Sequence, residues 1–131
     1  MREAFGVVPL LCVGLGAAIG ACLRWALSEL LNSRFAVIPA GTLAANLLGA
    51  FLIGCTLAFF VLRPVSPEVK LFCVTGLLGG LTTFSTFSSE NFQMLLAGQY
   101  LRAFAHMAAH LAGSLACTAL GFFCAARIFQ Q

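Results

Sequence analysis

Four long stretches of this chain contain no charged residue, and they limit what it can fold into. They cover positions 4–23, 35–62, 71–89 and 103–126 and contain 20, 28, 19 and 24 residues. An α-helix needs about 20 apolar residues to cross a hydrocarbon core ~30 Å thick. Barrel strands would be half as long and would alternate polar with apolar residues, which these runs do not. We therefore expect an all-α membrane protein with four transmembrane helices, formed by residues 1–131 as a single domain.

The composition favours the same class of protein. Apolar residues make up 61% of the chain and charged residues 8%, and the mean hydropathy is +1.02. A soluble domain carries about 25% charged residues because its surface faces water. The net charge of +3 is spread along the chain, whereas a nucleic-acid-binding surface needs clustered basic residues. These values exclude a soluble enzyme, a disordered tail and a nucleic-acid-binding protein.

Short connections join the predicted spans, so no loop has room for a soluble domain. Pro39 fits the first turn of the second helix, and Ser66 followed by Pro67 fits an N-cap and first helical position. Arg2 ahead of an apolar run resembles a signal peptide, but Glu3 and the equally apolar chain downstream favour a retained first helix. The predicted connections cover positions 31–34, 63–68 and 98–99.

Positive charge is almost evenly divided between the two ends of the predicted spans. Four spans put both termini on one side, so the basic residues divide four against three and give no firm orientation. One interpretation is that the chain inserts both ways and pairs as an antiparallel homodimer, which supplies an inverted repeat from two copies. The four are Arg2, Arg63, Lys70 and Arg127, and the three are Arg24, Arg34 and Arg102.

Small residues recur at four-residue spacing in the first two spans. Gly16 and Gly20 lie in the first span, and Gly41, Ala45 and Gly49 lie in the second. This spacing lets helix backbones approach closely in lipid, so we interpret these residues as packing contacts.

Asn46 places an amide inside the second span. An amide is costly in hydrocarbon and needs a partner. Thr42 lies four residues earlier on the same helical face. The amide either makes an interhelical hydrogen bond or donates to a permeating anion, and Asn46 alone does not decide between them.

The third span combines paired glycines with a run rich in hydroxyl groups. Gly79 and Gly80 each lower helix propensity by about 1 kcal/mol relative to alanine, and six hydroxyl residues follow within 82–89. We expect the helix to break here, near the membrane midplane. Such a break is tolerated only where protein or a polar cavity covers it.

A polar face and two aromatic rings follow the predicted break. If the helix resumes, Thr83, Thr86 and Glu90 share one face, beside Phe84 and Phe87, which are three residues apart. Aromatic rings have positive edges, and hydroxyl groups can donate hydrogen bonds. This combination favours the passage of a small anion.

Three motifs together resemble the Fluc/CrcB fluoride channels, over essentially the whole chain. They are Leu23-Arg24-Trp25, Gly-Thr-Leu-x-x-Asn at 41–46 and Gly-x-x-Gly-Gly-x-Thr-Thr-Phe-Ser-Thr-Phe at 76–87. The resemblance implies a passive, fluoride-selective channel of the bacterial inner membrane that prevents fluoride toxicity. It also implies an antiparallel, dual-topology homodimer with two pores.

The resemblance implies roles for particular side chains near the pore. Asn46 would be the pore amide that hydrogen-bonds fluoride, and the ring edges of Phe84 and Phe87 would line the fluoride path. Thr42 would support the pore close to Asn46, and Ser114 of the fourth span would lie near it.

The resemblance further implies a polar track, a vestibule and a sodium site. The track would consist of Thr83, Thr86 and Glu90. Arg24 would concentrate anions near an aqueous vestibule. The backbone carbonyls of Gly79 and Thr82, from both subunits, would bind a structural sodium ion on the two-fold axis.

His106 and His110 depart from the family pattern and lie four residues apart on the fourth span. They could bind zinc, although the sequence gives no clear third ligand. They could also titrate near neutral pH and tune anion entry. We favour a third interpretation, in which both are hydrogen-bonded helix residues.

Two other classes of membrane protein are weighed against the channel. A proton-coupled exporter of the small multidrug type needs an acidic residue deep in its first span, whereas Glu3 and Glu29 lie toward the ends of this one. A non-transporting assembly subunit would bury small residues without a polar track, which Asn46 and the run 79–90 disfavour. Ion flux through purified protein separates these alternatives.

Overall fold

The computed structural model describes residues 6–32 and 39–130. Arg2, Glu3 and Arg34, which entered the analysis of topology, lie outside these residues. Over the described ranges the chain is helical and contains no strand. Four of its helical stretches are long and apolar enough to cross a membrane, which confirms that prediction. They are Val7–Asn32, Ala40–Leu62, Pro67–Leu96 and Tyr100–Phe129.

The first, second and fourth stretches are continuous helices, named α1 (Val7–Asn32), α2 (Ala40–Leu62) and α6 (Tyr100–Phe129). Pro39 is the N-cap of α2, one position before the first turn in which the sequence predicted it. A turn at Gly98, whose φ is +70°, joins α6 to the stretch before it. Glycine adopts this left-handed conformation without the steric cost that other residues incur.

The third stretch consists of several segments. It contains α3 (Pro67–Lys70), a π-helical segment (Leu71–Leu78), α4 (Gly79–Leu81) and α5 (Phe84–Leu96). Ser66 caps α3, because its hydroxyl accepts a hydrogen bond from the Val69 N–H, and Pro67 follows at the first helical position. Both features were predicted from the sequence, whereas the π-helical segment was not.

Two residues with extended backbone lie between α4 and α5. The φ and ψ angles are −84° and 152° at Thr82 and −148° and 118° at Thr83. Thr83 is also the N-cap of α5, since its hydroxyl accepts a hydrogen bond from the Thr86 N–H. The chain therefore offers a helix C-terminus and a helix N-terminus within two residues.

Glycines let α1 pack directly on the backbone of the third stretch. A Cβ added to Gly16 would collide with the carbonyl of Phe72, and one added to Gly20 would collide with the carbonyl of Leu77. The four-residue spacing thus serves close helix packing, as the sequence predicted.

The α2–α6 pair is the most extensive helix contact among the described residues. Gly54 of α2 lies against the carbonyl of Thr118, and Gly121 of α6 lies against the carbonyl of Phe51. The sequence analysis did not single out this pair. The two helices approach so closely that neither position has room for a side chain.

Alanines and a few larger apolar side chains fill the interior, and many large apolar side chains lie on the exterior. The buried core contains Ala45, Leu78 and Leu81, against which Leu27 and Ile53 pack. Many leucine and phenylalanine side chains on all four stretches are exposed. In a soluble protein most large apolar side chains would be buried. Their exposure here fits helices whose outer faces contact lipid or another protein chain.

Candidate functional site

Asn46 of α2 holds the extended residues between α4 and α5. Its Oδ1 accepts a hydrogen bond from the Thr83 N–H at 2.7 Å, and its Nδ2 donates to the Thr83 carbonyl at 3.0 Å. Its Nδ2 also lies 3.1 Å from Nδ1 of His110. The interhelical hydrogen bond proposed for Asn46 is therefore present, and it satisfies backbone groups that no helix pairs.

The same contacts redirect two backbone donors of the third stretch. In an uninterrupted helix the Thr83 N–H would bond the carbonyl of Gly79, but it donates to Asn46. The Thr86 N–H would likewise bond the carbonyl of Thr82, but it donates to the Thr83 hydroxyl at 3.2 Å. The carbonyls of Gly79 and Thr82 therefore lose the donors that a regular helix would supply.

An open groove of about 640 Å³ runs beside this interruption. It is bounded by α2, α6 and the third stretch, and its walls are mostly apolar. Asn46, Phe84, Phe87 and Ser114 line it, together with Gly79. Residues from three separate parts of the sequence thus meet on one surface.

Phe84 and Phe87 have different surroundings although their ring centroids are 5.4 Å apart. Phe84 is 78% exposed. Phe87 lies against two histidine rings, with centroid distances of 5.3 Å to His106 and 4.6 Å to His110. Phe87 therefore has a packing role in the subunit, whereas Phe84 has little contact with its own chain.

The polar residues predicted as a track form two hydrogen-bonded pairs. The hydroxyl of Thr83 donates to that of Thr86 at 3.0 Å. The hydroxyl of Thr42, which is buried, donates to Oε1 of Glu90 at 2.5 Å. Thr42 and Asn46 therefore bond different parts of the third stretch, with Thr42 contacting α5 and Asn46 the extended residues.

Arg24 of α1 contacts the interrupted stretch from the opposite side. Its Nε donates to the carbonyl of Gly80 at 3.1 Å. The guanidinium group is partly buried, so it brings positive charge close to the end of α4. A cation near a helix C-terminus is electrostatically favourable.

His106 and His110 are both buried and both hydrogen-bonded, as the favoured interpretation held. Nδ1 of His106 lies 3.2 Å from Nδ2 of Asn91, which also donates to the carbonyl of Ala103 at 2.9 Å. The sequence analysis missed Asn91. It also missed that Oε2 of Glu90 lies 3.5 Å from Nε2 of His106.

A signal for these contacts exists in the chain. The turn at Gly98 folds α5 back along α6, and Glu90 and His106 lie equally far from it, on either side. Residues equally distant from a tight turn between antiparallel helices lie at the same level along the two helices. Counting outward from Gly98 in the sequence therefore places Glu90 and His106 at the same level.

A family model described as CrcB-like protein, Camphor Resistance (CrcB), matches residues 11–122. This chain belongs to the CrcB family. The matched region contains all of the groove residues named above.

Named bacterial relatives of this CrcB chain share about half of its residues. A protein of Chromohalobacter salexigens is 58% identical over 115 residues, which are 87% of this chain and 87% of the relative. One of Cupriavidus pinatubonensis is 51% identical over 119 residues, covering 90% and 94%. One of Thiobacillus denitrificans is 54% identical over 114 residues, covering 86% and 92%. Each of the three is named fluoride-specific ion channel FluC.

Proposed function

We propose that this CrcB chain is the subunit of a passive, fluoride-selective channel that exports fluoride across the bacterial inner membrane and so prevents its toxicity. The convergence of Asn46, Phe84, Phe87 and Ser114 on one groove carries the proposal. The name that the three relatives share supports fluoride as the ion. The chain transports and does not catalyse a reaction.

The pathway replaces the water around fluoride with weak donors. The ring pair of Phe84 and Phe87 presents positive edges to the anion, the hydroxyl of Ser114 supplies a polar hydrogen, and the amide of Asn46 positions the groups around it. Because the walls are mostly apolar, each donor acts in a medium of low dielectric constant. Binding must stay weak enough for release, and a few neutral donors satisfy that requirement better than a fixed cation.

Further polar residues serve the approach of the ion and the support of the pathway, and one of them, Thr83, also lines the groove. Thr83, Thr86 and Glu90 form the polar track along α5, and Thr42 fixes the carboxylate of Glu90. Arg24 gives the vestibule positive potential, which raises the local concentration of anions. The Arg24 contact with Gly80 also holds α4 near that vestibule.

A second copy of the chain completes each pathway. An open groove that contains Asn46 and the extended backbone at 82 and 83 cannot face hydrocarbon without a large desolvation cost. We propose that an antiparallel partner covers it, so that the homodimer has dual topology and two pores. The interruption at 82 and 83 would then lie near the membrane midplane, which both subunits share.

We also propose a structural sodium ion at the interruption. The carbonyls of Gly79 and Thr82 have lost their helical donors, and hard monovalent cations prefer oxygen ligands. Two such carbonyls from each subunit would hold the ion on the two-fold axis. The ion would supply positive charge that joins the subunits there.

Anion efflux from liposomes tests the proposed function. Purified protein is reconstituted at about one dimer per vesicle in vesicles loaded with potassium fluoride or potassium chloride, and a potassium ionophore starts efflux. We expect fast fluoride release, chloride release near that of protein-free vesicles, and no uptake of organic cations. Absence of fluoride release from folded dimers would contradict the channel, and organic cation uptake would favour the exporter.

A further inference from the structure

Two histidines and a carboxylate meet in the interior between α5 and α6. A nitrogen of each imidazole and an oxygen of Glu90 lie within 4.8 Å of one another. His106 is 4% exposed and His110 is 5% exposed. Nε2 of both histidines and Oε2 of Glu90 are buried and have no hydrogen-bond partner among the described residues. Buried polar atoms without partners are rare, and three of them from neighbouring side chains call for an explanation such as a further bound group.

Two asparagines decide which nitrogen of each histidine carries the proton. The amide of Asn46 is oriented by its paired bonds to Thr83, so its Nδ2 faces Nδ1 of His110 as a donor. Nδ2 of Asn91 is oriented by its bond to the Ala103 carbonyl and faces Nδ1 of His106 as a donor. Because an amide nitrogen only donates, both Nδ1 atoms accept, and both imidazoles are neutral with the proton on Nε2.

The cluster therefore presents two N–H donors, which suit an anion better than a metal ion. A metal at either Nε2 would need that proton removed and placed on Nδ1, where it would face an amide donor. The ligand atoms of the three residues lie within 4.8 Å of one another, which leaves room for a small acceptor at hydrogen-bond distances of about 2.7–2.9 Å.

The amide of Asn46 has no hydrogen left for such an anion. One hydrogen on Nδ2 is directed to the Thr83 carbonyl and the other to His110. His110 keeps a donor of its own, because its Nδ1 accepts from Asn46 while its buried Nε2–H has no partner among the described residues. His110 also lines the groove beside Phe87, which connects the cluster with that surface.

We propose that Nε2–H of His106 and Nε2–H of His110 form a binding site for a single small anion, fluoride, on the transport pathway. The site rests on the proposed channel function, which it extends by assigning the donors. Asn46 and Asn91 are positioning residues that hold the two imidazoles in the donating form. Glu90, whose Oε2 lies 3.5 Å from Nε2 of His106, competes with the anion for that donor and keeps its binding weak.

Nitrogen NMR of the intact protein tests the assignment directly. His106 and His110 are the only histidines of the chain, so labelling histidine with ¹⁵N reports this pair alone in tag-free protein. We expect both rings to be protonated on Nε2 and the two Nε2–H signals to shift on adding sodium fluoride, with no shift on adding sodium chloride. Protonation on Nδ1, or no change with fluoride, would overturn the proposal.

Two substitutions of His110 test whether its side chain acts as a hydrogen-bond donor or only packs against its neighbours. His110→Gln keeps an N–H group near the site, whereas His110→Leu removes it. We expect His110→Leu to lower fluoride efflux at least about tenfold and His110→Gln to retain most of it. Equal loss in both would overturn the donor role, and so would full flux in both.

Glu90 supplies the second pair of variants. Removing the charge in Glu90→Gln should lower the fluoride concentration that half-saturates the NMR shift about tenfold. Glu68→Gln, which alters an exposed carboxylate in α3, should leave that concentration unchanged. Weaker binding in Glu90→Gln would overturn the competing role. Loss of the Nε2–H signals on adding Zn²⁺ would identify a metal site instead.

The same measurements distinguish this inference from the channel itself. Fluoride efflux without any fluoride-dependent histidine shift would leave the channel standing and overturn the histidine site. A fluoride-dependent shift in protein that conducts no fluoride would support the site and contradict the channel.

Discussion

Asn46 matters as a single residue because both halves of its amide are used. Its oxygen accepts from the Thr83 N–H, and its nitrogen donates to the Thr83 carbonyl and to Nδ1 of His110. A carboxylate can make only the first of these contacts. It would also place negative charge beside a pathway for anions.

We therefore predict that Asn46→Asp lowers fluoride efflux at least about tenfold. Asn32→Asp is the matched control, because Asn32 accepts from the Gly41 N–H through its oxygen, which aspartate preserves. We expect that variant to conduct like the parent protein in the liposome assay. Undiminished efflux through Asn46→Asp would remove Asn46 from the pathway.

Substituting either phenylalanine should lower fluoride efflux, but the two variants should differ in the stability of the protein. We predict that Phe84→Ile and Phe87→Ile each cut fluoride efflux strongly and leave the dimer intact on size-exclusion chromatography. Phe87→Ile should also lower the unfolding temperature, since Phe87 packs on two histidine rings, whereas Phe84 is 78% exposed. Phe92→Ile, an exposed change further along α5, is the control. Normal flux in both Phe84→Ile and Phe87→Ile would contradict the aromatic pathway.

Sequence reasoning found the residues of the groove but not all of their partners. Asn46 was recognisable because an amide inside an apolar run is costly and requires a partner. Its bonds to Thr83 were not predictable, because they depend on how α2 packs beside the interruption. Asn91 was missed for the same reason, as its contacts with α6 exist only once α5 folds back along it.

At the scale of helices, local chemistry predicted the starts of segments well. Ser66 caps α3 ahead of Pro67, and Pro39 immediately precedes α2, because helix starts depend on only a few neighbouring residues. The π-helical segment Leu71–Leu78 was not predicted, since its hydrogen-bond pattern has no local sequence signal. The close α2–α6 approach at Gly54 and Gly121 was also missed, because a pair of glycines on different helices has no fixed spacing in sequence.

The α2–α6 contact leads to a prediction about stability. We expect Gly121→Ala to destabilise the protein by about 1–3 kcal/mol, because the added Cβ collides with the carbonyl of Phe51. Gly14→Ala is the matched control, because nothing lies within 4 Å of an added Cβ there. It should be neutral or stabilising by up to about 1 kcal/mol through helix propensity. Unfolding in detergent measures both, and a neutral Gly121→Ala would show that the two helices can separate without cost.

At the scale of the whole molecule, the near balance of positive charge bears on the proposed antiparallel dimer. Basic residues divide four against three between the two ends of the spans. The groove is open and contains polar groups, so it needs a cover in the membrane. An antiparallel dimer requires that chains insert into the same membrane in two opposite orientations. Only a chain whose basic residues are nearly balanced between the two ends of its spans inserts in both orientations.

We therefore predict that a variant whose basic residues favour one end of the spans conducts no fluoride on its own. Two variants with opposite charge distributions should conduct when they are expressed together. Glu68→Lys gives five basic residues against three, and the combination Lys70→Gln, Leu96→Lys and Tyr100→Lys gives three against five. The altered positions are exposed, so folding should survive in each variant. Each one expressed alone should confer little fluoride efflux in cells, because all of its chains insert one way. Co-expression should restore efflux, since oppositely inserted chains can then pair, and full efflux from either variant alone would contradict the antiparallel dimer.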